Sequence, residues 1–262
     1  MYNQNNMKDK LPVSLIQIHG GTDPEPFIQT ACDSGAKFIL LPEVFNSQTE
    51  KEPLDGPSIK NLQKIAKKKK VCILAGSIRE KIDSETKAYN ASVVIDESGK
   101  IADVYRKIHL FDVDLPERKM RESSKILAGA KPILSKVFGI TTGLSVCYDL
   151  RFPELYRLYS KKGAEMLCVP SCFTYVTGKD HWEVLLRARA IENQCFVLAP
   201  NQIGKNADGI LSYGNSMIID PWGNILARGS LDREEIVSAT LDFGLLAKTR
   251  TKFPALSHRK LK

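Results

Sequence analysis

Histidine and tryptophan are scarce in this 262-residue chain, at four and two copies, and the phrases of several common chemistries are missing. His19, His109, His181 and His258 show no HxH or HxxxH spacing, so nothing points to a metal centre and none is expected. There is no GxGxxG, no Walker loop and no GxSxG, which removes sequence support for a dinucleotide fold, a P-loop or a serine nucleophile elbow. No run approaches the roughly 18 consecutive apolar residues of a membrane-crossing helix, so no membrane partner is expected. The opening MYNQNNMKDK has no apolar stretch of the secretory type and reads as a flexible N-terminal extension over residues 1–10. Six cysteines form no CxxC pair and no small-domain framework, which fits free thiols in a reducing, cytoplasmic compartment. Asn90-Ala91-Ser92 matches a glycosylation sequon but carries no meaning without a secretory signal.

What is present is the make-up of a globular protein. Hydrophobic residues make up 43%, and a chain of this length buries a sizeable core without disulfides or metals. The net charge of +8 could suit nucleic acid, but the bases are dispersed. The densest run, Lys67–Lys70, directly precedes the apolar VCILAG and reads as the solvated end of a helix, so no nucleic-acid partner is expected.

The chain also repeats itself. GAKFILLPEVF (35–45) aligns with GAEMLCVPSCF (163–173), 128 residues on, and AYNASVVIDESGKI (88–101) aligns with SYGNSMIIDPWGNI (212–225), 124 residues on. Two matches at nearly one offset indicate an internal duplication. In the first half, VSLIQI (13–18), KFILLPE and VCILAGS are short apolar strands, with helices over 24–34 and 57–70 between them. Ile59, Leu62, Ile65 and Ala66 supply the helical spacing in the second of these. ASVVID and KIADVYRK flank ESG as a hairpin. The second half follows suit with ITTGLSVC, a helix over 153–161, AEMLCVPS, a helix over 181–193, CFVLAPN and a hairpin around Trp222-Gly223. Strands alternating with helices mean parallel βαβ units, and strands apolar on both faces mean sheets covered on both sides. The class is therefore α/β, with two sheets face to face and helices outside. No linker separates the halves, so residues 1–262 read as one domain.

In such sheets chemistry collects beyond the carboxyl ends of the strands. The first half offers His19, Glu43 and Ser77 there, the second Cys147, Ser171 and Asn201, with Lys107 and His109 following the hairpin. A cysteine in this position can be a nucleophile if a base takes its proton. His109, His181 and Glu43 are candidate bases, and a lysine could hold an oxyanion. The residues alone leave plainer readings open: Cys147 as a small buried hydrophobe, Glu43 as a surface or cap carboxylate, Lys107 as a surface charge, and His181-Trp182 as packing at a helix start.

LPEVF with Glu43, YRKIHLFDVDLP with Lys107 and GLSVCYDLRFPELYR with Cys147 together resemble the nitrilase superfamily of carbon–nitrogen hydrolases. HWEVLLRARAIENQCFV and SYGNSMIIDPWGNILA extend the likeness, which spans about residues 13–258. LFDVDLPERKMRES and RARAIENQCFV resemble the Nit branch, and within it the deaminated glutathione amidases more than the ω-amidases. The resemblance implies an internally duplicated four-layer αββα sandwich, no cofactor, a small-molecule amide as substrate, and a homodimer or higher homo-oligomer. It implies Cys147 as nucleophile, Glu43 as general base, Lys107 as oxyanion stabiliser and Glu122 as a second, positioning glutamate. It also implies the Tyr148 N–H as an oxyanion donor and places Tyr148, Phe173, His181 and Trp182 around the substrate. Asp149, Arg151 and Glu154 are expected to fix the turn after the nucleophile. The chain departs from the family in a short stretch between Gln17 and Glu43 and in a brief polar loop, QTEKEPLDGP, where an aromatic wall often begins at the position of Gln48. That loop predicts a wider, wetter cleft.

Overall fold

The computed structural model describes residues 9–47, 49–115, 118–206 and 209–261. Residues 1–8 of the expected N-terminal extension, and Gln48, lie outside them. Asp9 and Lys10 are held in place: the Asp9 carbonyl accepts the Phe243 N–H, and Lys10 opens the first strand.

The first half runs β1 (Lys10–Gln17), α1 (Glu25–Asp33), β2 (Phe38–Leu40), α2 (Pro57–Lys69), β3 (Cys72–Glu80), β4 (Ala88–Ile95) and β5 (Ile101–Arg106). A connecting segment follows, with β6 (Asp112–Leu115) antiparallel to β7 (Arg118–Arg121), a 3-10 turn (Glu122–Ser124) and β8 (Ile126–Leu127). β9 (Leu134–Val137) ends the first repeat, and the second then holds β10 (Ile140–Leu144), a 3-10 turn (Cys147–Arg151), α3 (Pro153–Lys161), β11 (Met166–Cys168), α4 (Tyr175–Asn193), β12 (Phe196–Ala199), β13 (Met217–Ile219) and β14 (Ile225–Arg228). β15 (Glu235–Asp242) and α5 (Phe243–Lys252) close the described chain.

Local chemistry sets the helix ends. α1, α2 and α3 each carry proline in their first two positions, where its missing N–H costs nothing. Asp242 caps α5 by accepting the Gly244 and Leu245 N–H groups. α2 ends with Lys70 in the left-handed region, after the three lysines of its last turn, as the solvated helix end expected there.

The duplication is written into the registers. Val13 pairs with Phe38 and Leu15 with Leu40, as Thr142 pairs with Met166 and Leu144 with Cys168. Phe38 pairs with Cys72 and Leu40 with Leu74, as Met166 pairs with Phe196 and Cys168 with Leu198. The sheet orders are β15-β1-β2-β3-β4-β5, with β8 beside β4, and β14-β13-β12-β11-β10-β9. After each hairpin the chain crosses over: β9 ends the first half but joins the second sheet, and β15 ends the second half but pairs with β1 in the first. Each half therefore completes the other's sheet.

Alternation along the strands builds four layers. Phe38, Leu40, Met166 and Cys168 meet in the core between the sheets, with Tyr105, Val146 and Phe196. Their neighbour Ile39 faces Ile28, Ile59 and Leu62 of α1 and α2, and Leu167 faces Tyr156, Tyr159, Trp182 and Leu186 of α3 and α4. This is the αββα sandwich expected.

Candidate active site

Glu43 lies three residues beyond β2, and Cys147 three beyond β10, at the carboxyl ends of parallel strands in opposite sheets. The packing of the sheets brings them together. Glu43 is 5% exposed; its Oε1 accepts Lys107 Nζ at 3.0 Å and Asn90 Nδ2 at 2.9 Å, and its Oε2 accepts the Cys172 N–H at 2.8 Å. The Cys147 thiol stands beside Glu43 and Lys107, close enough for both to act on its charge. Lys107 Nζ also reaches both oxygens of Glu122, at 3.0 and 2.9 Å, and Glu122 accepts the Phe111 N–H at 2.7 Å. The cluster thus holds two carboxylates, one ammonium and one thiol, with Lys107 bridging the carboxylates.

Electrostatics set the resting protonation. Burial, then the Glu43 charge, hold the Cys147 thiol well above its ordinary range, and the opposing pull of Lys107 does not cancel them. Burial works against the charge on Lys107, but Glu122 and Glu43 beside it keep its pKa well above the ordinary lysine value. The resting site is therefore a neutral thiol next to a carboxylate and a fixed cation.

The backbone on both sides is strained and tied down. Cys147 has φ 48° and Val44 has φ 48°, a region that costs a non-glycine residue on the order of 1–3 kcal/mol. Val44 is held by its N–H to Ser77 Oγ (3.0 Å), while Gln202 Nε2 binds the Glu43 and Val44 carbonyls. The turn at Cys147 is held by Asp149, which is fully buried. Asp149 Oδ1 accepts the His109 N–H and is paired with His109 Nδ1 (2.7 Å), and Oδ2 accepts Tyr105 Oη (2.7 Å) and the Val146 N–H (2.8 Å). Tyr156 and Tyr159 of α3 donate to Ser145 Oγ and the Leu144 carbonyl from behind.

The carbon-nitrogen hydrolase family profile matches residues 24–251. The chain belongs to the carbon–nitrogen hydrolase family. It is 42% identical over 249 residues to a deaminated glutathione amidase of Synechocystis sp., covering 90% of this chain and 91% of that protein. It is 42% identical over 244 residues to the Drosophila melanogaster nitrilase and fragile histidine triad fusion protein NitFhit, where 89% of this chain is matched but the chain spans only about half (52%) of that protein. An omega-amidase NIT2 of Pongo abelii is 33% identical over 96% of this chain and 93% of its own. The crystal structure of Saccharomyces cerevisiae Nit3, a member of branch 10 of the nitrilase superfamily, superposes with a TM-score of 0.85 at 32% identity, covering 97% of both chains. The Nit-branch resemblance and the class of reaction, hydrolysis of a carbon–nitrogen bond, stand with these matches.

In this carbon–nitrogen hydrolase Glu43, Lys107, Cys147 and Glu122 meet in one cluster, and Tyr148 and Phe173 border it. Tyr148 follows Cys147, and among the described residues no acceptor takes its N–H. Its ring meets Phe111 edge-on at 4.9 Å, and the Arg151 guanidinium lies over the rings of Tyr148 and Phe173. Two expectations need correction. Trp182 is fully buried, gives its indole N–H to the Asn215 carbonyl and packs behind Phe173, so it supports that ring instead of facing a substrate. His181 is exposed on α4 and contacts Arg151, because α4 opens at Tyr175 and places both residues mid-helix. Neither His109 nor His181 is placed to serve Cys147: His109 is bonded to Asp149 and stacked on Phe152 at 3.7 Å. Asp149 and Arg151 hold the turn as expected, whereas Glu154 is exposed in the first turn of α3. His19 lies apart, its Nε2 on the Lys205 carbonyl.

Two contributors had no place among the sequence candidates. Asn90, 2% exposed, spans Glu43 and Glu122 with one amide nitrogen, and the Cys172 N–H holds the second oxygen of Glu43. Asn90 stands opposite Gly214 in the repeat, an amide in a largely apolar strand where the other half has no side chain, and that contrast could have flagged it. The short polar loop, for its part, borders a cavity of about 400 Å3 between residues 20–24, Asn46, Thr49 and the start of α2, and none of the four clustered residues lines it. Among the described residues no cluster of His, Cys and acidic side chains could hold a metal, and no helix is long and apolar enough to cross a membrane.

Proposed function

We propose that this carbon–nitrogen hydrolase is an amidase that works through a Cys147 thioester, with deaminated glutathione as its substrate. The observation that carries the reading is the placement of one carboxylate, Glu43, on the Lys107 ammonium at 3.0 Å and beside the Cys147 thiol at the facing strand end. Because the thiol is neutral at rest, attack and deprotonation are coupled. Cys147 Sγ bonds to the amide carbonyl carbon as Glu43 takes its proton. The carbonyl electrons move onto oxygen, where Lys107 and the Tyr148 N–H stabilise them. A single bifurcated N–H can serve both Glu122 oxygens, leaving Lys107 a third donor for that oxygen. When the oxyanion collapses, the C–N bond breaks and Glu43 returns the proton to the leaving nitrogen. Glu43 then takes a proton from water as its oxygen attacks the thioester, the C–S bond breaks, the sulfur regains its proton and the acid leaves. Glu122 holds Lys107 throughout.

The substrate ranking follows the relatives: higher identity to a deaminated glutathione amidase than to an omega-amidase. A thiol nucleophile and six free cysteines suit a reducing, cytoplasmic setting. The exposed Val184 and Ile191 on α4 suit a homodimer built on the helix layer beside the nucleophile, and light scattering at the dimer mass is the expected result. The activity test is ammonia or amine release from deaminated glutathione, α-ketoglutaramate and a plain aliphatic amide by the wild type, Cys147→Ala and Cys147→Ser. Both variants should be inactive with an unchanged fold, and deaminated glutathione should have the highest kcat/KM. Turnover by Cys147→Ala would remove the mechanism, and a tenfold preference for α-ketoglutaramate would replace the substrate.

A further inference from the structure

Arg79 stands on the face that carries the cluster, and among the described residues its side chain has no partner. Directly opposed residues of neighbouring strands share a face, and Arg79 of β3 is paired with Asn90 of β4. The Asn90 amide points at Glu43 and Glu122, so Arg79 emerges on the same side. Its chain neighbours confirm the alternation. Ile78 packs into the core beneath α1 and α2, and Glu80 turns to the Arg106 guanidinium with two bonds of 2.6 Å. Lys107 continues the row one strand further, its N–H on the Asn90 carbonyl at 2.9 Å. Arg79, Asn90 and Lys107 thus cross β3, β4 and the end of β5 side by side.

Arg79 is half-buried, yet among the described residues its guanidinium makes no ion pair and no hydrogen bond. Four arginines at comparable or greater depth are paired: Arg106 on Glu80, Arg157 on the Glu192 carbonyl, Arg189 on Glu192 and the Leu150 carbonyl, and Arg250 on the Ala164 and Gln194 carbonyls. Proximity to the nucleophile's surroundings shows at Cys172. Burial, then Glu43, push that thiol up to about 12, while Lys107 and Arg79 pull against them. A planar fork of donors, half withdrawn from water and left open, is complementary to a carboxylate. The cluster itself would repel an anion, since Glu43 and Glu122 outnumber Lys107, so an anionic substrate needs a further cation; Arg151 is engaged with His181 and the rings of Tyr148 and Phe173, whereas Arg79 is left open.

We propose that Arg79 is the residue that receives the carboxylate on the acyl part of the substrate, and so sets the preference for acidic over neutral amides. This rests on the amidase reading, and two readouts separate them. The first is kcat/KM for glutaramate against pentanamide, an anionic and a neutral amide of the same chain length. The wild type should favour glutaramate at least tenfold. That ratio should fall at least tenfold in Arg79→Met, chiefly through KM, with Arg79→Lys, which keeps the charge but not the fork, in between. The second is calorimetric binding of glutarate to Cys147→Ala, which needs no turnover. Adding Arg79→Met should weaken it at least tenfold. An unchanged ratio, or glutarate binding indifferent to Arg79, overturns the assignment while leaving the amidase intact. Glutarate binding that depends on Arg79 in a protein that hydrolyses neither of these amides nor deaminated glutathione supports the assignment and overturns the amidase reading.

Discussion

At the scale of the residue, function rests on how few charges share one buried space. A thiol beside a carboxylate behaves unlike one beside an imidazolium. Burial and Glu43 raise the Cys147 pKa, so the native site keeps its proton below about pH 9, the ordinary thiol value, where an unfolded chain begins to lose it. The sign follows: this group's contribution to stability is present below that value and lost as pH rises through the folded pKa. Alkylation of Cys147 by iodoacetamide should therefore climb steadily through pH 8 and 9; a plateau by pH 7 would mean a stable thiolate and a different mechanism. Asn90 makes a second residue-scale case. Its nitrogen faces two carboxylates, and its Oδ1 is buried without a partner, an orientation that a flip would make repulsive. Asn90→Asp puts a third carboxylate around one lysine. The expected outcome is a kcat lower by tenfold or more and an acid limb of the kcat/KM profile shifted to higher pH; an unmoved limb would reduce Asn90 to packing.

At the scale of the element, much was legible because each half repeats the same apolar strands at the same spacing. KFIL and EMLC could be matched by eye, and both fall on parallel strands of one register. The candidates at strand ends followed from topology, and Glu43, Lys107 and Cys147 needed only the two sheets to face each other. What stayed hidden has physical reasons. β15 is an edge strand with few buried residues, and its partner β1 lies more than 200 residues earlier in the chain. α4 begins six residues before its apolar pattern does, through Tyr-Val-Thr-Gly, a poor helix former, because Gly178 lets the helix close on the Tyr213 ring. Asn90 and the Cys172 N–H were invisible as chemistry because an amide inside a strand and a backbone donor carry no motif. The strand ends also yield a prediction. A Cβ on Gly76 would stand 2.0 Å from the Leu41 carbonyl oxygen and 2.1 Å from that of Pro42, the two residues that lead into Glu43. Gly76→Ala should lower the melting temperature and reduce kcat more than it changes KM; a variant with wild-type kcat would show that Glu43 tolerates displacement of its strand end.

At the scale of the whole molecule, the crossed strands explain why two similar halves make one site. β9 and β15 each bind the sheet of the opposite half, so the sheets are held face to face by the chain itself as well as by the core between them. The proposed base, Glu43, comes from one half and the proposed nucleophile, Cys147, from the other, and their separation is fixed by that exchange. Arg79, Asn90 and Lys107 line one sheet, Cys147 and Cys172 the other, and the proposed substrate would lie between cations and nucleophile. The most direct test is mass spectrometry of the protein quenched during turnover of deaminated glutathione. The account predicts a single adduct with the mass of the acyl part, on the peptide bearing Cys147, strongly reduced in Glu43→Gln. An acyl group on another residue, or steady product release with no acyl-enzyme and full activity in Cys147→Ala, would contradict it.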